Sequence, residues 1–371
     1  MNKSKNNAVF SFYNTVSGAY CWWDQFPEEI TQKLNKQNIQ HKCFYRSFSE
    51  NSIYPENEQN ISKLDSWKWL LEIYRLSKKY DRVIFHTHSY YPPLKFYLLT
   101  LFSFKRQWIR TEHVLGDGAP KKWKKTVRTL LRQFKLMPKI VIAVSDAVAE
   151  RNKLIHGNNV LRIHNGIKLI DPPVYSNKKS AKTFLYVGRL DPKKGIWLLI
   201  KAFNILINQH HKKELHAHIV GGGPLLDELQ SYAFKHKLTN NIFFHGYQSD
   251  PSQYYIKADC IVIPTIVKDA CPLVALEARS HNLPILYANR GGLPEIAGRG
   301  SSPLLGLTPE LIAKSISIIS DDKILYKKLI NVGRDGIEYF SIDRMTDEYV
   351  HFYTKFLQNK AEKLDCNLEN K

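Results

Sequence analysis

Short apolar runs alternate with stretches whose apolar residues recur at helical spacing along most of the chain, the pattern of parallel strands joined by crossover helices. In the first half, 8–13, 42–48, 82–87, 107–112, 139–144 and 160–164 read as strands. Between them, 27–37, 66–79, 92–103, 121–137 and 146–155 read as amphipathic helices, and only 50–60 reads as a long loop. Paired prolines and a polar cluster in KLIDPPVYSNKKSAK then interrupt the alternation. It resumes with strands at 183–190, 215–221, 241–245, 259–264 and 284–288. The expectation is an α/β protein with two doubly wound domains facing each other across a cleft. The first spans 1–168, a linker 169–182, the second 183–345, and a C-terminal helix in 346–371 packs back toward the first domain.

Composition supports a folded enzyme-sized chain. Its 371 residues are 43% hydrophobic and 24% charged, which excludes disorder and suffices for two cores. The 54 Lys and Arg against 34 Asp and Glu leave +20, a charge that calls for an anionic partner. Most of the excess lies early: 28 basic and 14 acidic residues up to Pro172, or +14, against 26 and 20, or +6, beyond it. Cys21, Cys43, Cys260, Cys271 and Cys366 are odd in number and scattered, with no metal or redox spacing, so a reducing compartment is expected. The N-terminal MNKSKNNAVFSFYN has no apolar run of signal-peptide length, and the greasiest stretch, 96–104, is too short to span a bilayer. A cytoplasmic protein, soluble or peripheral on the inner face of the membrane, is expected.

The chemistry concentrates in the second half. LYVGRLDPKKG is a strand ending in glycine, followed by a tight turn carrying Arg189, Lys193 and Lys194. Ligands of an open parallel sheet collect at the carboxyl ends of its strands, so these cations stand where a polyphosphate would bind, although the same turn also fits a plain solvated surface. The next strand ends in Gly221, Gly222, Gly223 and Pro224, where missing side chains let backbone approach a ligand or simply allow chain reversal. No G-x-G-x-x-G fingerprint is present, which argues against a dinucleotide. In DACPLVALEARS, Pro272 at the first helical position leaves the N–H groups of Leu273 and Val274 as an anion site. Glu277 can then accept from ribose hydroxyls and Asp269 from those of a second sugar, or both acids merely complement the helix end.

The order GRLDPKKG, VGGGP, FFHGY, two acids separated by seven residues, then GGLPE, resembles the nucleotide-sugar domain of the group 1 (family 4) retaining glycosyltransferases of the GT-B fold, built from two Rossmann-like domains. IRTEHVLGDG, IAVSDAVAE and RIHNGI match that family in order in the first half. The resemblance implies that Arg189 and Lys194 hold the donor diphosphate and that Glu277 binds the ribose. It implies that the backbone after Pro272, with Cys271, Leu273 and Val274 around it, contacts phosphates or donor sugar, and that the strand end from His245 to Tyr247 lies near the base. His113 matches the histidine placed beside the transferred sugar, and Ser17 and Gly18 occupy the place of the N-terminal glycine loop without its double glycine. The first acid of the pair is normally Glu, and Asp269 is one methylene shorter, so its contact needs a closer loop or another hydroxyl. Cys271 is a structural thiol on this reading.

Segment 121–139, bounded by Lys121 and Lys139, carries eight basic residues and no acid, with Trp123, Val127, Leu130, Leu131, Phe134 and Met137 on one helical stripe. Such a helix packs its stripe on the sheet with solvated cations, binds anionic lipid, or does both. Nucleic acid is the weaker partner, since no zinc finger, RNA-recognition signature or helix-turn-helix punctuation appears. The expected function is transfer of a sugar from a nucleotide-diphosphate sugar to a glycan or lipid-linked acceptor, with retention and without a metal or other cofactor, in polysaccharide or lipopolysaccharide synthesis. The alternatives are a sugar-nucleotide-binding scaffold that has lost turnover and an epimerase or phosphorylase on the same architecture.

Overall fold

A computed structural model describes residues 6–16, 22–48, 59–60, 67–88, 99, 105–115, 130, 137–171 and 180–358. The chain divides into two units, Met1–Gly166 with Ile342–Lys371, and Ile167–Ser341. Gly18, most of the expected linker and nearly all of segment 121–139 lie outside the described residues.

The first unit holds a seven-stranded sheet. In chain order its strands are β1 (Asn7–Val16), β2 (Ile39–Phe48), β3 (Gln59–Asn60), β4 (Arg82–His88), β5 (Arg106–Glu112), β6 (Ile140–Ala143) and β7 (Val160–Arg162). Their spatial order is β3-β2-β1-β4-β5-β6-β7, with every neighbouring pair parallel. All four residues of β6 and six of the seven in β4 are buried, as a parallel sheet covered on both faces requires. Phe12 stacks on Phe44 across β1 and β2 with ring centroids 5.0 Å apart.

The helix Ile342–Gln358 belongs to this unit although it follows the whole of the other. Its buried residues Ile342, Met345, Tyr349, Phe352, Tyr353 and Phe356 form one stripe. It packs against the helix Trp22–Lys36, where Phe26 meets Tyr349 edge-on at 5.1 Å and Lys33 Nζ reaches Asp347 Oδ1 at 2.8 Å. The return begins at Ile342 rather than at 346, because Ile342 and Met345 are already part of the buried stripe.

The second unit repeats the plan with β8 (Thr183–Val187), β9 (His216–Val220), β10 (Ile242–Phe244), β11 (Cys260–Ile263), β12 (Ile285–Tyr287) and β13 (Ser301–Pro303), ordered β10-β9-β8-β11-β12-β13. Alternate residues of one strand serve opposite faces. Phe184 and Tyr186 of β8, with Cys260 and Val262 of β11, pack into one apolar cluster, while Leu185, Ile261 and Ile263 pack into the other. The edge strand β13 escapes the sequence pattern because Ser-Ser-Pro has no apolar alternation; it is held by pairing with β12. Strand β8 stops at Val187, short of 190, because the chain turns away at Gly188 to form the loop described next.

Candidate active site

In the second sheet β8 and β11 are neighbours, and the strand order reverses direction between them. That switch point is where a doubly wound sheet opens a crevice beyond its carboxyl ends. A cavity of about 210 Å³ lies there, with Gly188 after β8, Pro264 and Thr265 after β11, and Lys194, Asp269, Pro272, Leu273 and Val274 in its wall.

The turn after β8 is built locally. Asp191 Oδ1 accepts from the N–H groups of Lys193 at 2.9 Å and Lys194 at 3.2 Å, capping a single helical turn that Pro192 opens. Gly195 closes that turn at φ 72°, and a Cβ there would lie 2.0 Å from the carbonyl oxygen of Pro264. Only glycine allows this approach, which sets the turn against the end of β11. Lys194 then spans to the loop after β11, its Nζ 2.8 and 3.0 Å from the two carboxylate oxygens of Asp269. Arg189 is outside the cavity wall; its side chain is 71% exposed, with Nε 3.5 Å from Asp191 Oδ2.

Two glycines missing from the set of site residues expected from sequence hold Asp269 in place. Gly292 N–H donates to the Asp269 carbonyl at 2.8 Å, and Gly291, at φ 60°, passes so close that a Cβ would sit 2.3 Å from that oxygen. The signal was present in GGLPE, but its partner loop could not be read from it.

The helix Leu273–Ser280 starts one residue later than expected: Pro272 is its cap, with φ −70° and ψ 106°, and no side chain caps the end. The bare N–H groups and the helix dipole at Leu273 and Val274 therefore favour an anion in the cavity. Cys271 is half-buried beside them. Glu277 lies outside the cavity wall, one turn further along the helix on the side of Leu273. Its Oε2 accepts from the Tyr255 hydroxyl at 2.6 Å. Burial raises the Glu277 pKa, the Tyr255 hydrogen bond opposes that rise, and the charge of Asp250 adds to it.

At the ends of β9 and β10, Gly221 N–H donates to the Gly246 carbonyl at 2.8 Å, and Tyr247 stands beside Gly222, 3.6 Å from where a Cβ would be. Tyr247 is 61% exposed, so its ring is available for stacking.

His113 belongs to the other unit, immediately after β5. Its Nε2 lies 3.4 Å from His88 Nδ1 with the two rings stacked at 5.7 Å. Burial, helped by the Arg110 cation, lowers its pKa to about 3, so the imidazole is neutral near pH 7 and offers a hydrogen bond rather than a charge.

Comparison with known proteins identifies the family and the fold. The family model for glycosyl transferases group 1 matches residues 169–336, and that for glycosyltransferase family 4 matches residues 29–170. An uncharacterized glycosyltransferase of Methanocaldococcus jannaschii is 28% identical over 177 residues, 46% of this chain and 44% of that protein. This match spans less than half the length of that curated relative. The Escherichia coli UDP-Gal:alpha-D-GlcNAc-diphosphoundecaprenol alpha-1,3-galactosyltransferase is 22% identical over 321 residues, covering 81% of this chain and 83% of that one. The crystal structure of a glycosyltransferase from Rickettsia africae superposes with a TM-score of 0.73 at 18% identity, over 96% of this chain and all of that one. The two family matches follow one another along the chain, each falling largely on one of the doubly wound units, and the chain belongs to the group 1 glycosyltransferases of the GT-B fold.

Proposed function

We propose that the protein transfers a sugar from a nucleoside-diphosphate sugar to a hydroxyl of a glycan or lipid-linked acceptor, with retention of anomeric configuration, in cell-surface polysaccharide or lipopolysaccharide synthesis. The observation that carries this reading is the convergence of Lys194, Asp269 and an uncapped helix end on one cavity at the switch point. The Escherichia coli relative, named for a UDP-sugar donor and a diphosphate-linked lipid acceptor, supports it.

As the glycosidic bond breaks, negative charge grows on the departing diphosphate. Lys194 and the N–H groups at Leu273 and Val274 neutralise it where it appears, and Arg189 reaches in from its exposed position. These groups supply the charge that a divalent cation would otherwise carry, so no metal is invoked. Lys194 exchanges its carboxylate partner for phosphate, and Asp269, released, accepts from a hydroxyl of the transferred sugar. The leaving phosphate oxygen takes the acceptor proton in a front-face attack, so no protein nucleophile is needed. Glu277 binds the ribose, Tyr247 and Gly222 border the base, and His113 gives the sugar a neutral hydrogen bond.

A screen of UDP- and GDP-sugars with lipid-linked acceptor extracts, read by mass spectrometry, tests the reading. Transfer by the wild type and its loss in Lys194→Ala at unchanged melting temperature are expected. Nucleotide binding without turnover under every donor would favour a scaffold, for which the shorter Asp269, locked onto Lys194, gives a reason. No helix among the described residues is long and apolar enough to cross a membrane. The basic segment 121–139 is our candidate for peripheral attachment to the inner face of the membrane, and sedimentation with anionic and neutral liposomes tests it, salt-insensitive absence from both pellets counting against.

A further inference from the structure

The acid assigned to the ribose does not stand alone. Tyr255, on the short helix Ser252–Lys257, is only 1% exposed and donates its hydroxyl to Glu277 Oε2 at 2.6 Å. Its ring is itself fixed, lying parallel to the His281 imidazole at 4.9 Å and 18°. His281 is tied back to the same helix, its Nδ1 2.8 Å from the Glu277 carbonyl oxygen. Phenol, imidazole and acid thus close a loop around one helical turn. A glutamate on a helix has three rotatable bonds and two equivalent oxygens. Here one oxygen is taken by a short, charge-assisted hydrogen bond from a buried donor, while Oε1 has no hydrogen-bond partner among the described residues.

We infer that Tyr255 is a positioning residue for nucleotide recognition: it holds Glu277 Oε2 so that Oε1 is reserved for the ribose hydroxyls. This rests on the assignment of Glu277 to the ribose proposed above. The same hydrogen bond opposes the rise in pKa that burial imposes on Glu277 and so favours the ionised acceptor. Preorganisation of this kind acts on the sugar ring of the nucleotide and leaves its base and phosphates untouched. A buried tyrosine that merely satisfied its own hydroxyl would show no such selectivity.

Tyr255→Phe keeps the ring against His281 and removes only the donor, and its melting temperature reports whether the fold is kept. Binding is measured by calorimetry with UDP or GDP, whichever the wild type binds more tightly, and with the 2′,3′-dideoxy form of the same diphosphate. The expected result is that Tyr255→Phe weakens the ribonucleotide about tenfold and leaves the dideoxy form within about twofold. Equal weakening of both forms overturns the inference, since packing loss alone does not read hydroxyls. Glu277→Gln provides the separate control. If it discriminates the two forms and Tyr255→Phe does not, only the role of Tyr255 fails. If it does not discriminate, the ribose assignment fails and this inference with it.

Discussion

Lys194 and Asp269, separated by 75 positions in the chain, are partners through both carboxylate oxygens, at 2.8 and 3.0 Å. The ammonium that would grip a diphosphate is thus held by the acid that would grip a sugar. On the proposed reading, donor binding draws Lys194 away from Asp269.

Asp269→Asn is therefore expected to separate binding from turnover. With the competing charge removed, Lys194 is freer for phosphate, and affinity for the free nucleoside diphosphate rises a few-fold. Transfer falls, because an amide is a poorer acceptor for a sugar hydroxyl. Lys194→Ala lowers kcat about 100-fold or more, as loss of a transition-state charge partner does. Calorimetry with the diphosphate and steady-state rates check both; equal loss of affinity in the two variants would refute the competition.

Replacing Gly195 by Ala should damage the site through the backbone. The added methyl meets the Pro264 carbonyl at 2.0 Å, and φ 72° is disfavoured for any L side chain by about 1–2 kcal/mol. The turn must shift away from β11 and carry Lys194 with it. A drop in melting temperature accompanied by a larger loss of nucleotide affinity is expected; full affinity would show that the close approach does not position the lysine.

Glu277 is predicted to cost stability at neutral pH. Its folded pKa is raised above the unfolded value by burial, so the folded state holds the proton more tightly. Stability is then highest below the unfolded pKa and is lost as pH rises to and through the raised folded value. Glu277→Gln should raise the melting temperature at about pH 7.5, show little gain at about pH 4, and weaken nucleotide binding. A constant offset at both pH values would remove the titration from the explanation.

The first unit should be acid-sensitive for the opposite reason. Burial lowers the pKa of His41 and His113 to about 3 each and holds His86 and His88 well below the ordinary value. With folded values depressed, unfolded chains take up the protons first, and stability falls as pH drops below about 6.5 by up to about 1.4 kcal/mol per pH unit for each imidazole. His86 sits between Tyr353 at 2.5 Å and Thr111 at 2.7 Å, so its protonation strikes the docking of the C-terminal helix. Denaturation midpoints across about pH 7 to 5 test this, and His41→Asn should reduce the slope. A slope unchanged by that substitution would point to other groups.

Much of this was legible in one dimension. Short apolar runs mark β1, β4, β8, β9 and β11 because most of their residues are buried in the parallel sheets, and RLDPKKG marks its turn because an aspartate before proline caps the N–H groups that follow. Such signals are local, so β13, whose Ser-Ser-Pro is held only by its neighbour, left none. Segment 121–139 and Gly18 remain expectations from sequence.

The partnerships came from the sheet order. Lys194 meets Asp269, Gly195 meets Pro264, and Gly292 braces the acid's loop because β8, β11 and β12 lie side by side, and Tyr255 reaches Glu277 from a helix two elements earlier. The chain's own residues determine which segments become strands and where cations, acids and glycines stand at their ends, since backbone preference and burial period act over a few neighbours. Which of those ends touch, and hence which charges pair, is decided only when strands distant in sequence are laid next to one another.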